Sequence, residues 1–286
     1  MNMAGQNIMR KSFNILKNIT FIAFLCGGIS FPPAIAAGSG KQQAMLSYAD
    51  LADLVTASPL IIDARIKRVE TIEIGGQTET QPMEKRVLVN ARVSSLIRGQ
   101  NGIAPTVSFL AGKTASAGQL RKEKHVLLFA KPAPRAGQIV LVSRNARQPW
   151  SEELNQTVRS IAAEVLQSDS PPAIMKVGDA FHSAGTVAGE SETQIFLKTY
   201  SQAAISLSVI RRPGQTPRWG VSLGEIVDEA AAPPQRNTLL WYRLACSLPP
   251  RLPAEALQYL SLYDAQAAQR DYTLIMESLG SCGRTL

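Results

Sequence analysis

The chain is short of the residues that most often carry chemistry. Its 286 residues include three cysteines and two histidines. Zinc sites draw on His and Cys at short, regular spacing, and neither His125 nor His182 has such a neighbour, so the sequence offers no metal site. It contains no G-x-S-x-G, no H-E-x-x-H and no calcium-loop run of acids, and no cofactor motif is found. "AGKTAS" at 111–116 lacks the first glycine of a phosphate loop, with Val107 in its place. His182 has Asp179 and Ser183 close by, but residues this near along an extended chain point in different directions and do not converge as a triad must. Aromatics make up only 6% of the chain and do not interleave with its basic stretches, which argues against a nucleic-acid stacking platform. Long apolar runs are missing too. "ITFIAFLCGGISF" is shorter than the roughly 20 residues a membrane-spanning helix needs.

Acidic residues are absent before Asp50, whereas Arg10, Lys11 and Lys17 precede that apolar run. A basic end, an apolar middle and the small residues Ala34-Ile35-Ala36 together read as a secretory signal peptide over residues 1–36, cleaved between Ala36 and Ala37. A retained, uncleaved anchor is the alternative. Phe24 and Leu25 before Cys26 are too bulky for a lipidation signal. The expected product is periplasmic or secreted, with no membrane span. An oxidising compartment would let its two remaining cysteines, Cys246 and Cys282, pair; two buried thiols are the alternative.

Processing lowers the formal charge from +8 to +5, so its distribution matters more than its size. Residues 111–150 hold Lys113, Arg121, Lys122, Lys124, Lys131, Arg135, Arg144 and Arg147 against Glu123 alone, and residues 151–200 reverse the sign. Such asymmetry fits a surface for an anionic partner, or a solvated face whose charges keep a sheet edge from aggregating.

Residues 37–46 read as a flexible lead-in and "SYADLADLV" as a short helix capped by Ser47. Five strands follow at 60–74, 86–97, 106–110, 125–131 and 138–144, with Val87, Val89, Ala91 and Val93 alternating on one face. A helix then starts at the Gln148-Pro149 approach, with Leu154, Val158, Ile161, Ala162, Val165 and Leu166 at helical spacing. Beyond it come four strands, "IMKVGDAF", "TQIFLKTY", "ISLSVIRR" and "WGVSLGEIV". Helical patterns close the chain at 238–246 and 254–279, the latter as one helix or two. The fold class is α+β: a five-stranded antiparallel barrel over 47–148, then a small antiparallel sheet covered by C-terminal helices over 149–286.

"YADLADLVTASPLIIDARI" and "LRKEKHVLLFA" resemble the opening and a buried strand of the OB-like barrels found in exported bacterial proteins. "GESETQIFL", "RRPGQTPRWGVSLGEIVDEA" and "LWYRLAC" resemble a family of exported proteins from Gram-negative bacteria. That resemblance implies a shared fold and export and brings no activity, so no catalytic residue follows from it. The candidate binding residues are Arg211, Arg212 and Arg218 around a Pro213-Gly214 hairpin turn, and Arg121, Lys122 and Lys124 before the fourth strand. The function expected is a non-enzymatic binding or scaffolding role in the cell envelope, toward an anionic envelope component or another periplasmic protein. A hydrolase acting on envelope components and a protease inhibitor built on the barrel remain alternatives.

Overall fold

The computed structural model describes residues 46–75, 84–112, 116–224 and 231–286. The expected signal peptide, its cleavage point at Ala36 and Ala37 and the lead-in up to residue 45 lie outside these, as does the end of the expected strand at 225–227. Helix α1 (Tyr48–Ala57) starts where Ser47 accepts from the Asp50 amide while the Asp50 carboxylate accepts from the Ser47 amide, a reciprocal capping box. The chain then runs into β1 (Leu60–Ile74) and returns as β2 (Glu84–Arg98), paired from Ile61↔Arg98 to Ile74↔Glu84. Three register shifts twist this long ribbon.

β3 (Thr106–Leu110), β4 (His125–Pro132) and β5 (Ile139–Leu141) complete a sheet of order β3-β2-β1-β4-β5, with the short β6 (Arg147–Pro149) also paired to β4. A parallel bridge between Ser108 and Gln138 brings the two ends of this order together, and the Ser108 amide donates to the Gly137 carbonyl at 2.8 Å. The result is a nearly closed, OB-like barrel. Ile62, Ala64, Val89, Ala91, Val107, Phe109, Val126 and Leu128 fill its inside, as strand alternation requires. The sequence pattern did not disclose α2 (Ala117–Lys122), whose Leu120 is wholly buried in this interior. Fully burying a leucine contributes about 2 kcal/mol, enough to hold so short a helix in place.

α3 (Glu152–Leu166) begins later than the Gln148-Pro149 approach suggests. Those two residues belong to β6, and Ser151 caps the helix by accepting from the Leu154 amide at 3.2 Å. Leu166, at helical spacing with the buried Val158, Ile161 and Ala162, is 65% exposed in the last turn. A second sheet follows, of order β10-β9-β8-β7: β7 (Ile174–Ala184), β8 (Ser191–Thr199), β9 (Ile205–Arg211) and β10 (Arg218–Ser222). α4 (Leu239–Ser247), a single 3₁₀ turn (Ala254–Leu257) and α5 (Leu262–Leu279) close the chain. The 254–279 pattern is therefore two helical pieces.

A second core joins the two sheets. Ile61, Leu127 and Phe129 point outward from the barrel and cluster with α1, α3, α4, α5 and the inner face of the second sheet, including Leu207, Val209 and Trp219. Cys246 and Cys282 form a disulfide across 36 positions, joining α4 to the segment after α5. Beyond it the tail returns to α1: Arg284 pairs with Asp53 at 2.7 Å, and Thr285 donates to Asp50 from its amide at 2.9 Å and its hydroxyl at 2.6 Å. Among the described residues, no helix is long and apolar enough to cross a membrane.

Candidate functional site

The three hairpin arginines go to different places. Gly214 supplies the left-handed residue the turn needs, at φ 70°. Alternation along β9 sends Arg211 to the core side, where its Nε and Nη2 each lie 2.6 Å from Asp271 Oδ1. Asp271, on α5 and 1% exposed, also accepts the Thr193 hydroxyl through Oδ2. Thr193 has one hydroxyl proton and gives it to the carboxylate. His182 Nδ1, 2.8 Å from Thr193 Oγ1, must then carry its own proton and donate to that oxygen. Thr193 is wholly buried, so its hydroxyl serves this chain of bonds and reaches no substrate.

Arg212 and Arg218 face the opposite side, on the wall of an open groove of about 840 Å³ over the outer face of β8–β10. Gln194 and Ser208 line it too, and Ala231 crosses so close that a Cβ on Gly220 would lie 2.4 Å from its backbone. Glu190 and Glu192 line the same groove. Two carboxylates against two guanidiniums leave it little net charge.

The barrel is different. Arg121 donates to the Val69 carbonyl at 3.3 Å, while Lys122 and Lys124 are exposed. The Lys124 carbonyl accepts from the Ile66 amide at 2.9 Å, which sets Lys124 beside β1. Two bulges flank Arg65 and bring it directly opposite Arg92 on β2 and opposite His125 on β4, all on the outer face. The side chains of Arg65 and Arg92 are exposed and make no hydrogen bond or ion pair with any described residue. His125 is fixed by Asp63, 2.7 Å from Nε2, and stacks on Trp150 at 4.4 Å with the rings 9° from parallel. One row further, Arg159 of α3 donates to Ser95 Oγ at 2.7 Å.

Like charges directly opposite on a sheet are destabilising. Arg65 and Arg92 are such a pair, presented outward with no described carboxylate bonded to either. Planar guanidiniums match the oxygens of phosphate or carboxylate and bind them in pairs. Sequence reading passes over both residues. Their outward positions are legible from alternation, but their pairing depends on bulges that no local pattern announces.

The strongly shifted titrations lie elsewhere and are structural. Burial lifts Tyr48 and Tyr272 above the ordinary tyrosine range. Burial, and then the Asp53 carboxylate at 2.5 Å, lift Tyr242. At Asp50, burial favours the protonated acid, but hydrogen bonds from Thr285 and Ser47 outweigh it and hold the carboxyl below its usual value. Among the described residues, no group of three or more His, Cys, Asp or Glu is placed to hold a metal. The chain matches no protein-family model and no curated protein.

Proposed function

We propose that the protein is an exported, non-catalytic binding module of the cell envelope, and that its ligand is anionic and meets the outer barrel face at Arg65 and Arg92. The observation that carries this reading is the cross-strand arginine pair with no described partner. Support for export comes from the basic, apolar and small-residue order of residues 1–36, from the Cys246–Cys282 disulfide, and from the resemblance to exported Gram-negative proteins. Lys67, at the bulge next to Arg65, and Lys124 extend the positive field, whereas the larger groove on the second sheet has acids to offset its arginines. Fold alone names no ligand; this charge arrangement is what favours an anion.

Cosedimentation with phosphatidylglycerol vesicles tests the reading. The wild type should bind at low salt and release as salt rises, since exposed charges are screened beyond roughly 10 Å at 0.1 M. Arg65→Glu with Arg92→Glu should abolish binding, while Arg212→Glu with Arg218→Glu should leave it intact. Binding that survives the Arg65 and Arg92 reversal would refute the assignment. Fractionation should find a chain beginning at Ala37 in the periplasm.

A further inference from the structure

The barrel face that carries Arg65 and Arg92 changes character along its own strands. Register places Arg92 opposite Thr106, Asn90 opposite Ser108 and Leu88 opposite Leu110, all outward, so along β2 and β3 the face passes from basic through polar to apolar, while on the β1 side the mutually paired Arg68 and Glu70 flank Asn90 and Leu88. At the apolar end a groove of about 630 Å³ follows the seam between β3 and β5. Ile72, Leu88, Leu110 and Val140 wall it, and two cations stand on its lining: Arg86, paired with Glu84 at 3.7 Å, and Arg144. Leu110 is 37% and Val140 56% exposed, so water covers apolar surface that an apolar guest would dry.

Size and lining match a small-molecule site, which is typically a mostly apolar concavity of about 300–1,000 Å³ with a few placed polar groups. A peptide strand is a poor occupant, because the backbone at the seam is already engaged: the Ser108 amide donates to the Gly137 carbonyl across it. An alkyl chain needs no backbone partner. By strand rise, Leu88 lies about 13 Å from Arg92, a span that one molecule with a charged head and an attached chain can cover. We propose that this face binds an anionic amphiphile with a single acyl chain, its phosphate head between Arg65 and Arg92 and its chain in the β3–β5 groove. The proposal rests on the anion-binding reading above and adds the chain.

Calorimetry on the purified protein separates the two. The probes are lauroyl lysophosphatidylglycerol, kept below its micellar concentration, and glycerol 3-phosphate, which has the head chemistry alone. The acyl probe should bind at least tenfold more tightly. Leu110→Ser with Val140→Ser, both at exposed positions, should remove that advantage and leave glycerol 3-phosphate affinity unchanged; Ile74→Ser gives an independent check at a third exposed wall position. Arg65→Glu with Arg92→Glu should abolish binding of both probes. Equal affinity for the two probes, still lost on arginine reversal, overturns the groove assignment and keeps the anion site. Acyl-probe binding that survives arginine reversal overturns the proposed head position and with it the anion reading. Failure of both probes to bind overturns both.

Discussion

Asp271 has almost no access to solvent, whereas the Arg211 side chain that pairs with it is 34% exposed. That asymmetry decides which partner the fold can spare. Removing Arg211 strands a buried carboxylate whose remaining polar neighbours are the Thr193 hydroxyl and His182 Nδ1, the latter 4.0 Å away. Removing Asp271 leaves a guanidinium that turns to water. Breaking a buried pair costs about 3–5 kcal/mol, so Arg211→Met is expected to lose about 3 kcal/mol in urea unfolding and Asp271→Ala less. The double substitution should recover part of the Arg211→Met loss. If Asp271→Ala is the worse of the two, the burial argument fails. Asp50 gives a second test at this scale. Its folded carboxyl titrates below the unfolded value of 3.8, so its contribution is present above that value and is lost as pH falls through the folded one. Asp50→Asn should therefore be less stable than wild type at neutral pH, with the gap closing below about pH 4 in acid unfolding. In sequence, Arg211, Arg212 and Arg218 look alike. Parity along β9 and β10 separates them only once Asp271, 60 positions away from Arg211, is known to lie over one face.

Long elements were legible because many residues repeat the same signal. β1 and β3 occupy the stretches that alternation predicts, and the buried Val89 and Ala91 of β2 face inward as expected. β5 lies within the predicted 138–144 but pairs over three residues only, whereas β6 with three residues and α2 with six are too short for a period to emerge, and Leu120 is fixed by the barrel it fills rather than by its neighbours. The site fared worse than the fold, because Arg65 and Arg92 meet through bulges and Arg159 arrives from a separate helix. The disulfide was legible because an exported chain that keeps two cysteines can pair them. It closes a loop of 36 positions, and the chain-entropy relation gives roughly 4 kcal/mol. Cys246→Ser with Cys282→Ser should lower stability by about that amount. It should also loosen the tail, because Arg284 and Thr285 reach Asp53 and Asp50 from just beyond Cys282. Hydrogen exchange at the Thr285 and Leu286 amides, both donors to Asp50, should accelerate more than exchange within β8. Equal acceleration at both places would mean that the bond stabilises the whole fold without steering the tail.

Two sheets in one chain raise the question of whether they unfold separately. The described residues form one compact unit. Phe129 belongs to a barrel strand, yet its ring lies in the core that also holds Val209, Trp219 and Trp241 of the other sheet and its helices. The Tyr242 hydroxyl donates to Asp53 of α1, and the Leu239 amide donates to Glu164 of α3, so polar ties cross the same region. A shared core couples the stability of its parts. If two sheets share one, they melt together, and damage on one side is felt on the other. Phe129→Ala removes a wholly buried ring and should cost about 3–5 kcal/mol. The comparison is made in a Trp150→Phe background, which removes the tryptophan stacked on barrel residue His125. In urea, the remaining fluorescence, from Trp219 and Trp241, and far-ultraviolet circular dichroism, which reports both sheets, should shift together to a lower midpoint and remain coincident. Fluorescence that keeps its wild-type midpoint while the dichroism moves would show that the second sheet stands without the barrel.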